Sequence, residues 1–234
     1  MAAEEPSVKR ARVTDRFRSG PHKRHESPLA EANAAEQCRA PLAGPRVASN
    51  PVTDRSELVR PLLRTRQIRE FTDEPVDEAD IAVLADVARW SGSSANTQPW
   101  RFIVIREEAT LRAIADAGMP QTRSLRTAMA AIAIALPEEQ GKAVSHAYDE
   151  GRAAERILIG AHMLGLGGGI AWILSAARGT VSELLHIPGE WRVRTIVALG
   201  HPSEEALRPK SPAGKARRPR DEVVFSERWP EGSI

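Results

Sequence analysis

The apolar residues of this chain recur first at the spacing of a helix and then at that of a buried strand. Between residues 75 and 91 they fall on one helical face, and acidic residues precede them, as suits the first turn of a helix. The run RFIVI at residues 101–105 follows and predicts a strand. The helical face consists of Ile81, Leu84, Ala85 and Ala88.

The same two patterns continue towards the C-terminal end. Helices and strands are interleaved, which predicts an α/β or α+β fold with a single sheet. Residues 201–234 contain five prolines and are expected to be extended. In the longest predicted helix, the apolar face consists of Ala154, Ile157, Leu158, Ala161 and Leu164. The further predicted helices cover residues 53–65, 107–118, 145–167 and 181–187, and the further strands cover 128–136 and 193–200.

Residues 1–51 differ in composition from the rest of the chain. They are rich in Pro, Gly, Ser and charge, so we predict a disordered basic tail there and a folded domain over residues 52–234. Residues 1–50 hold nine Lys and Arg and six Asp and Glu. The rest of the chain holds the other 24 Lys and Arg and 25 Asp and Glu, so the domain is close to neutral. Such a domain is not expected to bind nucleic acid. A basic docking arm around residues 9–12 is a second interpretation of the tail.

Several other classes of protein are not indicated by the sequence. It has no run of about 18 apolar residues, so we expect no membrane span, and no signal peptide is recognisable. The single Cys38 fits a reducing compartment, which favours a cytoplasmic protein. The sequence has no P-loop, HExxH or CxxC motif and its six His are scattered, so we expect no metal site.

A polar loop between the predicted helix and strand is the most informative stretch. Its sequence, RWSGSSANTQPWRF at residues 89–102, holds more neutral hydrogen-bonding side chains than a turn requires. Basic residues cluster in two further places, RTRQIREF at 64–71 and KARRPR at 215–220. Guanidinium and ammonium groups suit an anion with two or more charges, and hydroxyls and amides suit a polyol chain.

A glycine-rich stretch, GLGGGIAWI at residues 165–173, adds a fourth feature. Its small residues and backbone N–H groups suit a flat ring system, and an anion, a polyol and a ring together make FMN the simplest ligand. The stretch is not a Rossmann fingerprint, because it ends a helix rather than opening one. A helix C-cap followed by a tight turn is an equally good interpretation of it.

Taken in order, these motifs resemble the FMN-dependent nitroreductase family over about residues 53–229. RQIREF resembles the family's opening motif, usually Arg-Ser-Ile-Arg-x-Phe, and SSANTQPW resembles its Ser-Ser-x-Asn-x-Gln-Pro-Trp loop. AAERILIGAHMLGLGGGIAWI is similar to the family's long helix and the glycine-rich segment under the flavin ring. LLHIPGEWRVRTIVALGHP and KARRPRDEVVFSERW are similar to its late segments. The loop is the most specific of these motifs.

The resemblance implies an α+β, nitroreductase-like fold: a central, mostly antiparallel sheet flanked by helices, with an extended C-terminal arm. It also implies an intertwined homodimer with two FMN molecules at the interface. The implied activity is the reduction of nitroaromatic, quinone or related small electron acceptors with NADH or NADPH, by a ping-pong mechanism. FMN carries that chemistry, so no catalytic side chain is expected.

Position by position, the resemblance assigns FMN contacts to three parts of the chain. Arg66, Gln67 and Arg69 belong to the phosphate and ribityl site, and Lys215 and Arg217 complete a clamp on the phosphate. The loop and the backbone of the glycine-rich segment surround the ring. The residues assigned there are Ser93, Ser94, Asn96, Gly169, Ile170, Ala171 and Trp172.

Three departures from the family pattern bear on the substrate. Gln67 replaces the usual Ser, and Glu155 and Arg156 stand where Gln-Asn is common. Only 12 residues, 137–148, separate the second predicted strand from the DEGRAAER segment of the long helix. Many relatives have a longer lid at that place, so a more open site is expected. The alternatives are a different reaction on the same cofactor (reductive dehalogenation, enone reduction or flavin fragmentation), a non-catalytic flavin-binding or regulatory module, and a protein that binds nucleic acid or a partner through the basic tail.

Overall fold

In a computed structural model of the protein, the described residues are 55–212 and 214–230. The predictions for the tail, residues 1–51, and for Cys38 lie outside them. The helices are α1 (Arg55–Leu58), α2 (Arg60–Arg64), α3 (Glu78–Arg89), α4 (Glu108–Ala117), α5 (Ala143–Met163), α6 (Arg178–Leu184) and α7 (Glu204–Leu207). The strands are β1 (Arg101–Ile105), β2 (Ala130–Pro137), β3 (Gly167–Trp172) and β4 (Trp191–Gly200).

The strands form a four-stranded sheet in the order β1-β2-β4-β3, and every pair is antiparallel. The predicted α+β class is therefore confirmed. Because successive side chains of a strand point to opposite faces, β2 supplies two hydrophobic cores. Its Ile132 and Ile134 pack in one core, and its Ala131 and Ala133 pack in the other.

Helices α3 and α5 cover the face of the sheet that carries the isoleucines of β2. Ile81, Leu84 and Ala88 of α3 are buried there, as the helical spacing predicted, whereas Ala85 is only partly buried. Asp77 caps α3 by accepting a hydrogen bond from the Ala79 N–H at 3.1 Å, which satisfies one of the free donors of the first turn. Helices α4 and α6 supply buried residues to the core on the other face.

A β-bulge in β4 turns one charged side chain towards α5. Ile134 pairs with Thr195 and Ala135 pairs with Val193, so Arg194 is the extra residue of the bulge. Its guanidinium donates two hydrogen bonds to Oε2 of Glu150 on α5, at 2.6 and 3.1 Å. The Glu150 side chain is 7% exposed, so this ion pair is nearly buried and ties the long helix to the sheet.

One of the two interpretations of the glycine-rich stretch was a helix C-cap followed by a turn, and only its first part fits that interpretation. Helix α5 ends at Met163 and Gly165 has a φ of 78°, as a C-cap requires. From Gly167 onwards the chain is β3, an edge strand that pairs with β4. Glycine is depleted in strands, which is why the pattern did not indicate one.

Other boundaries differ from the prediction by smaller amounts. Leu164 lies just past the end of α5 and is exposed rather than buried. The predicted helix over 53–65 is interrupted at Val59, and Pro61 stands in the first turn of α2, where its missing N–H costs nothing. Beyond α7 the described residues contain one short helical turn, Arg220–Glu222. None of the helices described is long and apolar enough to cross a membrane.

Candidate functional site

The arginine-rich segment at residues 64–71 lies along the outer edge of β3. The Ile68 N–H donates to the Gly168 carbonyl at 2.8 Å, and Gln67 and Gly168 form an isolated parallel bridge. The Gln67 side chain extends this contact, because its Oε1 accepts from the Ile170 N–H at 3.3 Å and from Arg69 Nη2 at 3.1 Å. Gln67 thus orients a neighbouring guanidinium and satisfies a donor of the edge strand.

The close approach of this segment explains the glycines of β3. A Cβ atom at Gly169 would overlap the carbonyl oxygen of Ile68, and one at Gly168 would come within 2.8 Å of Leu158 Cδ2. Gly167 is less restricted, because a Cβ there would lie 3.0 Å from the Ile68 side chain. Gly169 is therefore required by the close approach of the Ile68 backbone, whereas a side chain at Gly167 or Gly168 would require a neighbouring side chain to shift.

The pocket beside β3 has a volume of about 670 Å³. It brings together four of the predicted site residues, and three residues that sequence reasoning missed lie opposite them, just beyond α4. Arg69 and Arg123 give the pocket positive charge, and none of the residues found to line it is acidic. The predicted members are Gln67, Arg69, Ile170 and Trp172, and the additional ones are Pro120, Gln121 and Arg123.

Two other predicted residues of β3, Gly169 and Ala171, are not among the residues found to line the pocket. Gly169 has no side chain, and Ala171 is fully buried in the core that α4 and α6 share. Trp172, by contrast, is 55% exposed at the end of the strand. The Ile170 and Trp172 side chains therefore face the pocket, while Gly169 and Ala171 face the protein.

Arg66 is the predicted residue that the fold separates from the others. Residues 66 and 67 lie on opposite sides of an extended segment, so Arg66 points away from Gln67 and Arg69. Its Nη2 donates to the Leu207 carbonyl, and it lines a separate cavity of about 390 Å³ with Arg64 and His162. The predicted grouping of Arg66 with Arg69 is therefore not found within the described chain, because the alternation of side chains opposes it.

Lys215 and Arg217 also lie apart from the pocket in the described chain. Both are exposed. The Lys215 N–H donates to the Pro212 carbonyl at 3.0 Å, and Arg217 Nη1 donates to the carbonyl of its neighbour Ala216 at 2.9 Å. Their predicted role at a phosphate remains a prediction.

The polar loop folds into a tight turn with an unusual backbone. Ala95, Asn96 and Gln98 have φ values of 49°, 54° and 48°, in the left-handed region that non-glycine residues seldom occupy. Ser93 Oγ stabilises the turn by accepting from the Gln98 N–H at 2.9 Å. The side chains of Ser94 and Asn96 are exposed and make no hydrogen bond to any other described residue, so they are available to a ligand.

The loop and the pocket belong to opposite edges of the sheet. The loop leads into β1, whereas the pocket lies beside β3, and three strand spacings, roughly 14 Å, separate these edge strands. None of the loop residues is among those found to line the pocket. The loop instead contacts α5, where the Ser94 N–H donates to both carboxylate oxygens of Asp149 at 3.1 and 3.2 Å.

The antiparallel sheet with helices on both faces has the nitroreductase-like α+β fold, which solved structures from Parabacteroides distasonis and Clostridium acetobutylicum share with TM-scores of 0.62 and 0.63. The chain belongs to the nitroreductase family: the model of the "Nitroreductase family" matches residues 62–201. This match includes the segment at 64–71, the polar loop and all four strands.

Individual relatives agree with the family assignment. A protein of Archaeoglobus fulgidus named as a candidate NADH dehydrogenase/NAD(P)H nitroreductase is 30% identical over 158 residues, which is 64% of this chain and 87% of that protein. The 5,6-dimethylbenzimidazole synthase of Rhodospirillum rubrum is 28% identical over 167 residues, covering 60% of this chain and 79% of that enzyme. A Desulfovibrio desulfuricans structure solved in complex with FMN has a TM-score of 0.59 at 25% identity, covering 78% of this chain and all of that one.

Proposed function

We propose that the protein is an FMN-dependent oxidoreductase that uses NADH or NADPH to reduce nitroaromatic compounds, quinones or related small electron acceptors. The proposal rests on the family and on one structural observation, the cationic pocket beside β3. That pocket combines exposed guanidinium groups, the amide side chains of Gln67 and Gln121, and two residues of the edge strand, Ile170 and Trp172.

The residues present fit FMN by their chemistry. Arg69 suits a phosphate, Gln67 suits a ribityl hydroxyl, and Ile170 and Trp172 offer an apolar surface to a ring. The backbone of residues 169–172 would lie beside that ring. Ser93, Ser94 and Asn96 would contact the ring, and Lys215 and Arg217 would complete the phosphate site. When bound, FMN supplies hydride and electron transfer, which no protein side chain provides.

Two copies of the chain are needed for this site in our proposal. The loop and the pocket lie at opposite edges of one sheet, so the loop of one copy would complete the pocket of the other. Exposed apolar side chains on α2, at the end of α5 and in the C-terminal segment support a homodimer. They include Leu62, Leu63, Met163, Val223 and Trp229, which are 56, 70, 68, 52 and 73% exposed.

The protein's own contribution is binding and orientation. Arg69 and Arg123 place positive charge where an anionic ligand binds, and the Ile170 N–H is held in place by Gln67. The donor and the acceptor would occupy the same open position in turn, which is a ping-pong order. The short connection between β2 and α5, residues 138–142, leaves that position more open than a long lid would.

The test begins with the colour of the purified protein. We expect a yellow protein with the absorbance bands of oxidised flavin, and chromatography of the released cofactor should give about one FMN per chain. Anaerobic NADH or NADPH should bleach the bands, and a quinone or a nitroaromatic compound should restore them. A colourless protein that binds no added FMN would contradict the proposal, and bound flavin that neither donor reduces would favour a non-catalytic module.

A second reaction is supported by the similarity to the Rhodospirillum rubrum 5,6-dimethylbenzimidazole synthase. If this chain fragmented its flavin, FMN would be consumed when the reduced protein is exposed to oxygen, and 5,6-dimethylbenzimidazole would accumulate. Recovery of intact FMN after many cycles would favour the reductase. The short segment at 138–142 favours the reductase as well, because it offers few residues to cover the flavin.

A further inference from the structure

We propose that Asp149 is a positioning residue that holds the Ser93–Gln98 loop in its ligand-binding conformation. The functional meaning of this proposal rests on the proposed function, in which the loop contacts a flavin. The contact itself is a property of the chain and is measurable without any cofactor.

Asp149 is a buried carboxylate directed at the loop. Its side chain is 1% exposed, although it lies on α5, and both of its oxygens accept from the Ser94 N–H. Arg152, one turn further along α5, lies 3.5 Å from Oδ1. Burying an ionised carboxylate is unfavourable unless it is hydrogen-bonded and paired, and here its partners are one loop N–H and one guanidinium.

The loop needs such an external contact because its own backbone is strained. Three of its residues, Ala95, Asn96 and Gln98, adopt left-handed conformations that persist only when surrounding interactions hold them. The other hydrogen bonds of residues 93–98 are internal, such as Gln98 N–H to Ser93 Oγ and Thr97 Oγ1 to the Ser94 carbonyl. Among the described residues, Asp149 makes the hydrogen bond that joins this loop to another element.

The start of the loop is fixed from the same helix face. Arg156 Nη1, two turns after Asp149, donates to the Trp90 carbonyl at 2.8 Å. Arg156 and Asp149 therefore fix the backbone on either side of residues 91–93, at the Trp90 carbonyl and at the Ser94 N–H. The side chains of Ser94 and Asn96 remain exposed. The loop is therefore already ordered before a ligand binds. Because it is ordered in advance, binding costs less conformational entropy.

The neighbouring residue provides a matched control. Glu150 is also a buried carboxylate of α5, but it pairs with Arg194 of β4 and makes no hydrogen bond to the loop. Substitution of Glu150 should lower the overall stability without releasing Ser94. A comparison of Asp149→Ala, Asp149→Asn and Glu150→Gln separates positioning from general loss of stability.

The experiment is amide hydrogen exchange by NMR on the full-length protein without flavin. A hydrogen bond to a charged group corresponds to roughly 10- to 100-fold in an equilibrium, so exchange of the Ser94 amide should rise by about that factor in Asp149→Ala. Asp149→Asn keeps one accepting oxygen and should show a smaller rise. Glu150→Gln should change Ser94 no more than it changes amides elsewhere in α5.

A second measurement connects the loop to its ligand. Because the loop is proposed to face the ring, Asp149→Ala should weaken FMN and riboflavin binding by the same factor. Unchanged Ser94 exchange in Asp149→Ala, or an equal rise in Glu150→Gln, would overturn the proposal. Faster Ser94 exchange in a protein whose wild type binds no flavin would support the positioning role of Asp149 and contradict the proposed function.

Discussion

At the scale of single residues, Arg66 and Arg69 lie three positions apart in an extended segment, and their side chains therefore point to opposite sides of it. The two residues are of the same type and both are exposed. Arg69 faces the pocket beside β3 and is oriented by Gln67, whereas Arg66 donates to the Leu207 carbonyl on the other side of the segment. The side of the extended segment on which each residue lies, rather than its type, therefore determines which arginine can reach a ligand in that pocket.

We expect Arg69→Ala to weaken FMN binding by about 10- to 100-fold. A hydrogen bond to a charged group contributes roughly 1.5–3 kcal/mol, and about 1.4 kcal/mol corresponds to a tenfold change in affinity. Riboflavin lacks the phosphate and should bind nearly as well to the variant as to the wild type. The measurement is a titration of each apoprotein with both flavins, followed by the quenching of flavin fluorescence.

Two arginine variants serve as controls for that titration. Arg66→Ala should leave FMN affinity within about threefold of wild type, because Arg66 lines a different cavity. Arg218→Ala removes an exposed arginine beside the proposed phosphate contact at 217 and should do little. Equal losses for FMN and riboflavin in Arg69→Ala would mean that Arg69 acts by holding Gln67 rather than by binding phosphate.

Sequence reasoning found the residues of this pocket that belong to motifs and missed those that do not. Gln67, Arg69, Ile170 and Trp172 stand in stretches with a recognisable pattern. Gln121 lies in the turn after α4, and Arg123 begins the short helical turn that follows it. No periodicity or motif marks either residue, and only the folded chain brings them beside β3. The separation of Arg66 from Arg69 was predictable in principle, since residues of odd and even number in an extended segment face opposite ways.

At the scale of elements, β3 is the strand that the sequence pattern failed to indicate. Strands β1, β2 and β4 are apolar runs with branched or small residues and were predicted within two residues of their ends. In β3 the usual strand signal is replaced by three glycines, of which Gly169 is required by the close approach of the Ile68 carbonyl oxygen. The low strand propensity of glycine is therefore outweighed here by the close approach of a neighbouring segment.

We expect Gly169→Ala to lower the free energy of unfolding by about 3 kcal/mol, the upper end of the usual cost of overpacking. The added Cβ would overlap the Ile68 carbonyl oxygen, so the segment carrying Gln67 and Arg69 would have to move away from β3. Flavin content should fall with the stability. Urea denaturation and the absorbance of bound flavin measure the two effects.

A glycine elsewhere in the fold provides the control for this substitution. Gly179 lies in α6 with open space around its missing Cβ, so Gly179→Ala should stabilise the protein by up to about 1 kcal/mol through helix propensity. A neutral or stabilising effect of Gly169→Ala would show that the segment at residues 64–71 is not packed on β3 in solution.

At the scale of the whole molecule, the C-terminal segment exposes an apolar surface that we expect a partner to cover. Val223, Val224 and Trp229 are 52, 49 and 73% exposed, and Phe225 makes an edge contact with the Trp229 ring. Burying one such side chain contributes about 1.5–3 kcal/mol. A second copy of the chain is the partner that the proposed site requires.

We expect the full chain to sediment as a dimer. Deletion of residues 221–234 should raise the dissociation constant of the dimer by at least about tenfold, because the free energy of burying one apolar side chain corresponds to roughly that factor. Sedimentation velocity over a concentration series measures this. Deletion of residues 1–50 is the control, and it should leave the dimer, the flavin content and the melting temperature nearly unchanged. A stable monomer that retains bound FMN would contradict the two-copy site.

The two edges of the sheet also differ in how the chain resists aggregation. The segment containing Gln67 and Ile68 covers part of β3, whereas β1 pairs, among the described strands, with β2 alone. The sequence of β1, RFIVI, is the kind that recruits other strands once a protein begins to unfold. Arg101 begins this strand and Arg106 follows it, so a positive charge at each end opposes the stacking of one copy on another. We therefore expect these two arginines to oppose edge-to-edge pairing between partly unfolded copies at β1.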